Sequence, residues 1–125
     1  LPIGSRVPFH CTASGKTFLA SLPDRKLKGF LEAIDLRNMT SNTHVTKESL
    51  HAEIKDVRKN GYALDREEFM DDMVAIAVPV KDPQNRYIAA LAFHGPTQRI
   101  NIDDAVSKKD MLQAAAKRIS ESLFT

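Results

Sequence analysis

Two apolar runs joined by a short polar turn restrict the fold of this chain more than any other feature. Met73 to Val80 is an unbroken apolar run, Gln84 to Arg86 is polar, and Tyr87 to Phe93 is apolar again before Gly95-Pro96. Runs of this length predict strands, and the short turn between them makes the two strands antiparallel neighbours. Because both runs are continuous rather than alternating, we expect both strands to be buried on both faces.

Capping residues and apolar spacing predict three helices before these strands. Thr12 is the expected N-cap of a helix from about Ala13 to Ser21, Asp24 of the next helix, and Thr46 of the third. Gly61 follows the third helix, where a left-handed residue is favoured. The stretch 38–46 is rich in Asn, Ser and Thr, which compete with backbone pairing and therefore predict a loop.

The remaining elements complete an α+β pattern. Tyr62 to Leu64 is a candidate short strand, and Asp103 is the expected N-cap of a final amphipathic helix. Its expected buried side comprises Met111, Leu112, Ala115, Ile119 and Leu123. Helices beside an antiparallel sheet, in one α+β domain over residues 1–125, are therefore predicted.

Composition excludes several classes of protein. A chain of 125 residues suits a single domain, and a net charge of +2 does not favour nucleic-acid binding by this segment. The one cysteine, Cys11, excludes an internal disulfide framework, and no apolar run is long enough to cross a bilayer. We therefore expect a cytoplasmic protein that does not enter a membrane.

Two motifs with catalytic appearance are incomplete. Gly15-Lys16-Thr17 resembles the end of a phosphate-binding loop, but the glycine required five residues before Gly15 is His10. His10-Cys11 suggests a nucleophile with its base, yet adjacent side chains of an extended segment point to opposite faces. The four histidines show no metal-ligand spacing, so no metal or other cofactor is expected: His10, His44, His51 and His94.

A small anion site is a better candidate. The amides of Ala13, Ser14 and Gly15 fall in the first turn of a helix, where they have no intrahelical acceptor and the helix dipole favours a carboxylate. The alternative is that Thr12 and water satisfy these amides. Alanines in the two strands leave room either for close helix packing or for a ligand, and His94 could stand at the mouth of such a cavity.

The acidic run between the short strand and Met73 has two interpretations. Most such runs are solvated loops, but one carboxylate turned inward beside a cavity would have a raised pKa or a donor partner. Glu68 is the candidate for that carboxylate.

Together these segments resemble the effector-binding domain of IclR-type transcriptional regulators. The resemblance is carried by Pro8 to Ala20, Val57 to Glu68, Ile76 to Val80, Ala89 to Pro96, and Arg99-Ile100, in the same order and spacing over nearly the whole chain. It implies a GAF-like antiparallel sheet flanked by helices. It also implies a C-terminal portion of a regulator, with the winged helix-turn-helix and the early part of the effector domain absent from this chain.

The resemblance further implies a non-enzymatic sensor for a small carboxylate effector, in a homodimer or homotetramer that contacts DNA only through the missing N-terminal domain. By position, effector-binding roles fall on Ala13, Ser14, Glu68 or its neighbour Asp65, Ile76, Val78, Ala92 and His94.

Some positions differ from the family pattern. Asp72 stands where a glycine is common, and Ala92 and His94 stand where some members carry hydroxyl side chains, so no effector is named. Two other functions remain open at this point. One is a small enzyme using His10, Cys11 and the stretch Asp65 to Asp72, and the other is a purely dimerising scaffold, which predicts a pocket filled by side chains.

Overall fold

A computed structural model describes residues 8–124 and shows an α+β fold. Its helices are α1 (Ala13–Ser21), α2 (Asp24–Ala33), α3 (Lys47–Asn60), α4 (Ile102–Val106) and α5 (Lys109–Phe124). Its strands are β1 (Ala63–Arg66), β2 (Met73–Lys81) and β3 (Tyr87–Pro96), which form one antiparallel sheet in the order β1-β2-β3. No helix in the described part of the chain is both long and apolar enough to span a membrane.

The ends of α1 and α3 follow the capping expectations. Thr12 Oγ1 accepts a hydrogen bond from the Gly15 amide at 3.0 Å, and Thr46 Oγ1 accepts one from the Ser49 amide at 3.1 Å. Gly61 ends α3 with a φ of 79°, in the left-handed region that glycine adopts without strain. These three predictions are confirmed.

Two predicted caps are wrong. Pro23 precedes α2, and Asp24 is instead its first residue, with a carboxylate that accepts from Arg58 at 2.5 Å. Asn101, not Asp103, caps α4 and exchanges two hydrogen bonds with the helix. Because α4 ends after one turn, the single final helix that we predicted is two helices.

The burial predicted for β3 and α5 is also partly wrong. β2 is buried along most of its length because α1 and α5 pack on its opposite faces, whereas β3 lies at the edge of the sheet within residues 8–124 and stays partly exposed. In α5, Leu112 and Ala116 are buried, while three residues expected beside them are exposed: Met111, Ile119 and Leu123. The helix carries two adjacent apolar stripes, and the sheet covers one of them.

Alternation along β2 divides the sheet into two faces. Ile76 and Val78 pack in one cluster with Leu112 of α5, whereas Ala75 and Ala77 pack against Ala13 at the start of α1. Side chains this small let the helix approach the sheet closely. The start of α1 is thereby held directly over the face that carries the odd-numbered residues of β2.

Candidate functional site

A cavity of about 400 Å³ lies between the start of α1, the sheet and the loop that joins β1 to β2. Its polar lining residues are Thr12, Ser14, Asp65 and His94, and its other lining residues are Ala13, Phe69, Met70, Met73, Ala75 and Ala92. This combination of a mainly apolar wall with a few convergent polar groups is typical of small-molecule sites.

Strand register explains how the polar residues reach one cavity. Asp65 on β1 pairs with Ala75 on β2, and Ala75 pairs with His94 on β3, so the three residues form a row across the sheet. Ala92 pairs with Ala77 on the same face. Five residues that the sequence proposed therefore line one cavity: Ala13, Ser14, Asp65, Ala92 and His94.

The other proposed residues lie elsewhere. The side chains of Ile76 and Val78 belong to the cluster under α5, because they are one residue out of phase with Ala75 along the strand. Glu68 is buried behind the cavity wall without lining it, and its neighbour Asp65 takes the lining position. Periodicity alone could not have assigned the faces of β2, because both faces are apolar.

The first turn of α1 borders the cavity and contains two amides without a protein acceptor in the described part of the chain. The Gly15 amide is occupied by the Thr12 hydroxyl, whereas the amides of Ala13 and Ser14 have no protein acceptor within the described residues. Such amides lie at the positive end of the helix dipole and suit a carboxylate oxygen. Of the three amides considered in the sequence, the structure thus leaves two for a ligand.

Asp65 is the acidic group of the cavity. It is 4% exposed and accepts a 2.7 Å hydrogen bond from the Glu68 amide. Burial, together with the nearby charge of Glu68, raises the pKa of Asp65 from 3.8 to about 6, although the Glu68 amide and Lys16 oppose the change. Asp65 can therefore exchange a proton just below neutral pH, and a neutral Asp65 could donate to an anionic ligand.

Glu68 has strong donor partners rather than a place in the cavity. Lys16 Nζ donates to both carboxylate oxygens, at 2.9 and 3.0 Å, and both side chains are almost fully buried. The sequence motif around Lys16 resembles the end of a phosphate-binding loop, and nothing in that motif indicates this ion pair.

One group of side chains in the described part of the chain could hold a metal ion, since its ligand atoms lie within 4.8 Å of one another: His44, Glu53 and Glu68. The carboxylates already face cations, however, because Lys16 pairs with Glu68 and Arg66 Nη1 lies 3.7 Å from Glu53. His44 Nε2 also contacts both carboxylates, Glu53 at 3.0 Å and Glu68 at 3.3 Å. A cation here would have to displace these contacts.

The proposed Cys11 nucleophile lies in a setting that suppresses its reactivity. Cys11 is fully buried, and burial together with the charges of Asp65 and Glu68 raises its thiol pKa to about 12. His10 Nε2 contacts the carbonyl of Arg37 at 2.7 Å. A thiol with so high a pKa stays protonated near neutral pH and does not attack a substrate.

Comparisons with known proteins agree with this architecture. The family model described as "Bacterial transcriptional regulator IclR C-terminal" matches residues 1–121. The probable transcriptional regulator SauR of Cupriavidus necator is 37% identical over 113 residues, which is 90% of this chain and 45% of that protein. The chain spans about half the length of the curated relatives it matches.

Solved structures of relatives include an isolated C-terminal domain and an inducer-binding domain. The C-terminal domain of the Escherichia coli regulator KdgR is 35% identical with a TM-score of 0.87, over 95% of this chain and 73% of that one. The inducer-binding domain of Acinetobacter PobR, a double mutant in complex with 3-hydroxybenzoic acid, is 28% identical with a TM-score of 0.90. The match covers 95% of this chain and 69% of that one. The family and these relatives are transcriptional regulators and not enzymes, and the chain belongs to the IclR C-terminal family of bacterial transcriptional regulators.

Proposed function

We propose that this domain binds a small carboxylate effector and thereby changes how an attached winged helix-turn-helix binds DNA in the bacterial cytoplasm. The observation that carries the proposal is that Ala13 and Ser14, whose amides have no protein acceptor within the described residues, line a cavity of about 400 Å³. The attached DNA-binding domain is proposed because this chain belongs to a family of transcriptional regulators.

The chemistry of the cavity favours an acid with a small apolar body. The amides suit the carboxylate, while Phe69, Met73 and the alanines of the sheet suit a hydrocarbon or aromatic portion. Asp65 and His94 then offer hydrogen bonds to a further polar group. The acid bound by the PobR domain supports this class of ligand here and does not identify the molecule.

The ligand would act by favouring one arrangement of subunits in a homodimer or homotetramer. A ligand shifts such an equilibrium only as far as its affinity differs between the two arrangements. A cavity open to ligand favours this sensor over a purely dimerising scaffold, for which we expected the space to be filled by side chains.

Thermal unfolding with four acids tests the proposal: acetate, pyruvate, benzoate and 3-hydroxybenzoate. A ligand present at 100 times its dissociation constant stabilises the folded state by about 2.7 kcal/mol. Dose-dependent stabilisation by at least one acid is expected. If none of the four changes the melting temperature of the full-length protein, carboxylate sensing by this cavity is refuted.

Ala13→Pro tests the amides directly. Ala13 is the first helical residue, where proline is tolerated, and Thr12 before it has a ψ of 147°, which suits a residue that precedes proline. The substitution removes one donor, and we expect loss of most binding. Ala13→Val is the matched control, because it adds similar bulk and keeps the amide. Equal weakening by both substitutions would contradict a role for the amide.

A further inference from the structure

A buried polar cluster directly behind the cavity connects two of its walls. Lys16 lies on α1, one turn after the amides of Ala13 and Ser14, and its side chain has no solvent exposure. Its ammonium group donates to both oxygens of Glu68, which lies in the loop after β1. Helix and loop are therefore joined by a charge-assisted bidentate contact, among the strongest hydrogen bonds in proteins.

Glu68 in turn fixes the cavity's acidic residue. Its Oε2 accepts from the Arg66 amide at 2.9 Å, and its own amide donates to Asp65 Oδ1 at 2.7 Å. The chain of contacts runs from Lys16 through Glu68 to Asp65. The position of the Asp65 carboxylate relative to α1 consequently depends on an ion pair that lies outside the cavity.

Hydrogen bonds from the segment before α3 hold the loop between β1 and β2 in an unfavourable backbone conformation. Glu67 has a φ of 57°, which is unfavourable for a residue with a side chain. Thr40 Oγ1 donates to the Glu67 carbonyl at 2.5 Å, and Thr43 Oγ1 donates to the Glu68 carbonyl at 2.6 Å. A strained backbone persists only where its surroundings determine it, and such strain is frequent at ligand sites.

Stability alone does not account for the buried pair. Replacing a buried ion pair by apolar side chains of similar size is often neutral or stabilising, because both charges lose their hydration when they are buried. The pair does determine geometry, because the Lys16 ammonium group donates to both oxygens of Glu68 and thereby fixes the orientation of the carboxylate. A preorganised site avoids the cost of ordering its groups when the ligand binds.

We infer that Lys16 and Glu68 are positioning residues that hold the α1 amides and Asp65 at the separation that the effector requires, although neither residue touches the effector. The inference rests on the proposed function. It predicts that removal of the ion pair weakens ligand binding even where the domain remains folded.

The test compares two double variants of the full-length protein. Lys16→Met with Glu68→Leu replaces the buried pair by apolar side chains, and Lys47→Met with Glu32→Leu removes an exposed pair at 3.3 Å as the matched control. The probe is whichever of the four acids binds the wild type most tightly, measured by calorimetry. We expect about a tenfold loss of affinity in the first variant, or 1.4 kcal/mol, and less than a twofold change in the control.

Hydrogen exchange gives a readout that needs no ligand. We expect the backbone amide at position 68, which donates to Asp65 in the wild type, to exchange at least several times faster in the buried-pair variant, while the melting temperature stays close to that of the wild type. Unchanged exchange at this amide, or unchanged affinity for the probe, would overturn the positioning role. If no acid binds the wild type, the proposed function fails and the exchange result alone decides the inference.

Glu68→Gln covers the case in which the double variant does not fold. Glutamine keeps the size of the side chain, but it is uncharged and can offer Lys16 only one acceptor oxygen in place of the two that the carboxylate offers. The same weakening of probe binding is expected from this single change in a folded protein, and wild-type affinity would refute the inference.

Discussion

Asp65→Asn is expected to stabilise the protein above pH 7, although it removes a group from the proposed binding site. The folded state raises the pKa of Asp65 from 3.8 to about 6, mainly through burial, so the ionised carboxylate is less favourable in the folded chain than in the unfolded chain. At pH values well above 6, the cost of burying the ionised carboxylate lowers the free energy of unfolding by its full amount. A difference of about two pKa units corresponds to about 3 kcal/mol.

The pH dependence identifies the cause. As the pH falls from about 6 to about 4, Asp65 becomes protonated in the folded state before it does in the unfolded state, and its penalty disappears. The advantage of Asp65→Asn should therefore decline from about 3 kcal/mol at pH 8 towards zero at pH 4. Asparagine keeps an oxygen that can accept from the Glu68 amide, so the loop geometry is preserved.

Urea unfolding of both proteins at pH 8, 6 and 4 measures this difference. Asp82→Asn is the control, because Asp82 lies in the turn between β2 and β3 and a hydrogen bond from the Arg86 amide lowers its pKa. That substitution should not stabilise the protein at pH 8. Destabilisation by Asp65→Asn at pH 8, or an advantage that does not change with pH, would refute the reasoning.

Three further predictions concern single positions. Gly15→Ala should lower the free energy of unfolding by about 2 kcal/mol in urea titrations, because its Cβ would lie 2.5 Å from Phe9 Cα. Asp72→Gly should raise the free energy of unfolding by about 1 kcal/mol, because Asp72 has a φ of 62° in the left-handed region that glycine adopts more easily. An unchanged free energy of unfolding would show that this conformation costs nothing at position 72. Cys11 should resist alkylation at pH 8 in the native protein and react in urea, and rapid native labelling would contradict its burial.

Local sequence signals predicted most of the fold. Thr12, Thr46 and Gly61 mark helix ends because capping depends on a few neighbouring backbone groups. Burial depends on distant parts of the chain and was harder to predict. The apolar composition of β3 does not reveal how much of the strand is covered, and α5 has two apolar stripes of which one is buried.

The candidate site was predictable where it depends on the backbone. The amides of Ala13 and Ser14 follow from the start of a helix, and Ala92 and His94 share a face because they are two residues apart on one strand. Ile76 and Val78 were placed in the cavity by resemblance, whereas the register of the sheet puts Ala75 there. The ion pair of Lys16 and Glu68 joins residues far apart in sequence, so no local pattern could indicate it.

Successive side chains of β2 point to opposite faces of the sheet, so the residues that shape the cavity differ from those that pack under α5. Ala75 lines the cavity, whereas its neighbour Ile76 belongs to the layer under α5. If the cavity binds an effector as proposed, its ligand preference can therefore be altered at Ala75 and Ala92 while the layer beneath α5 is left intact. A library randomised at these two positions would be a suitable starting point for a search for domains that bind other small molecules.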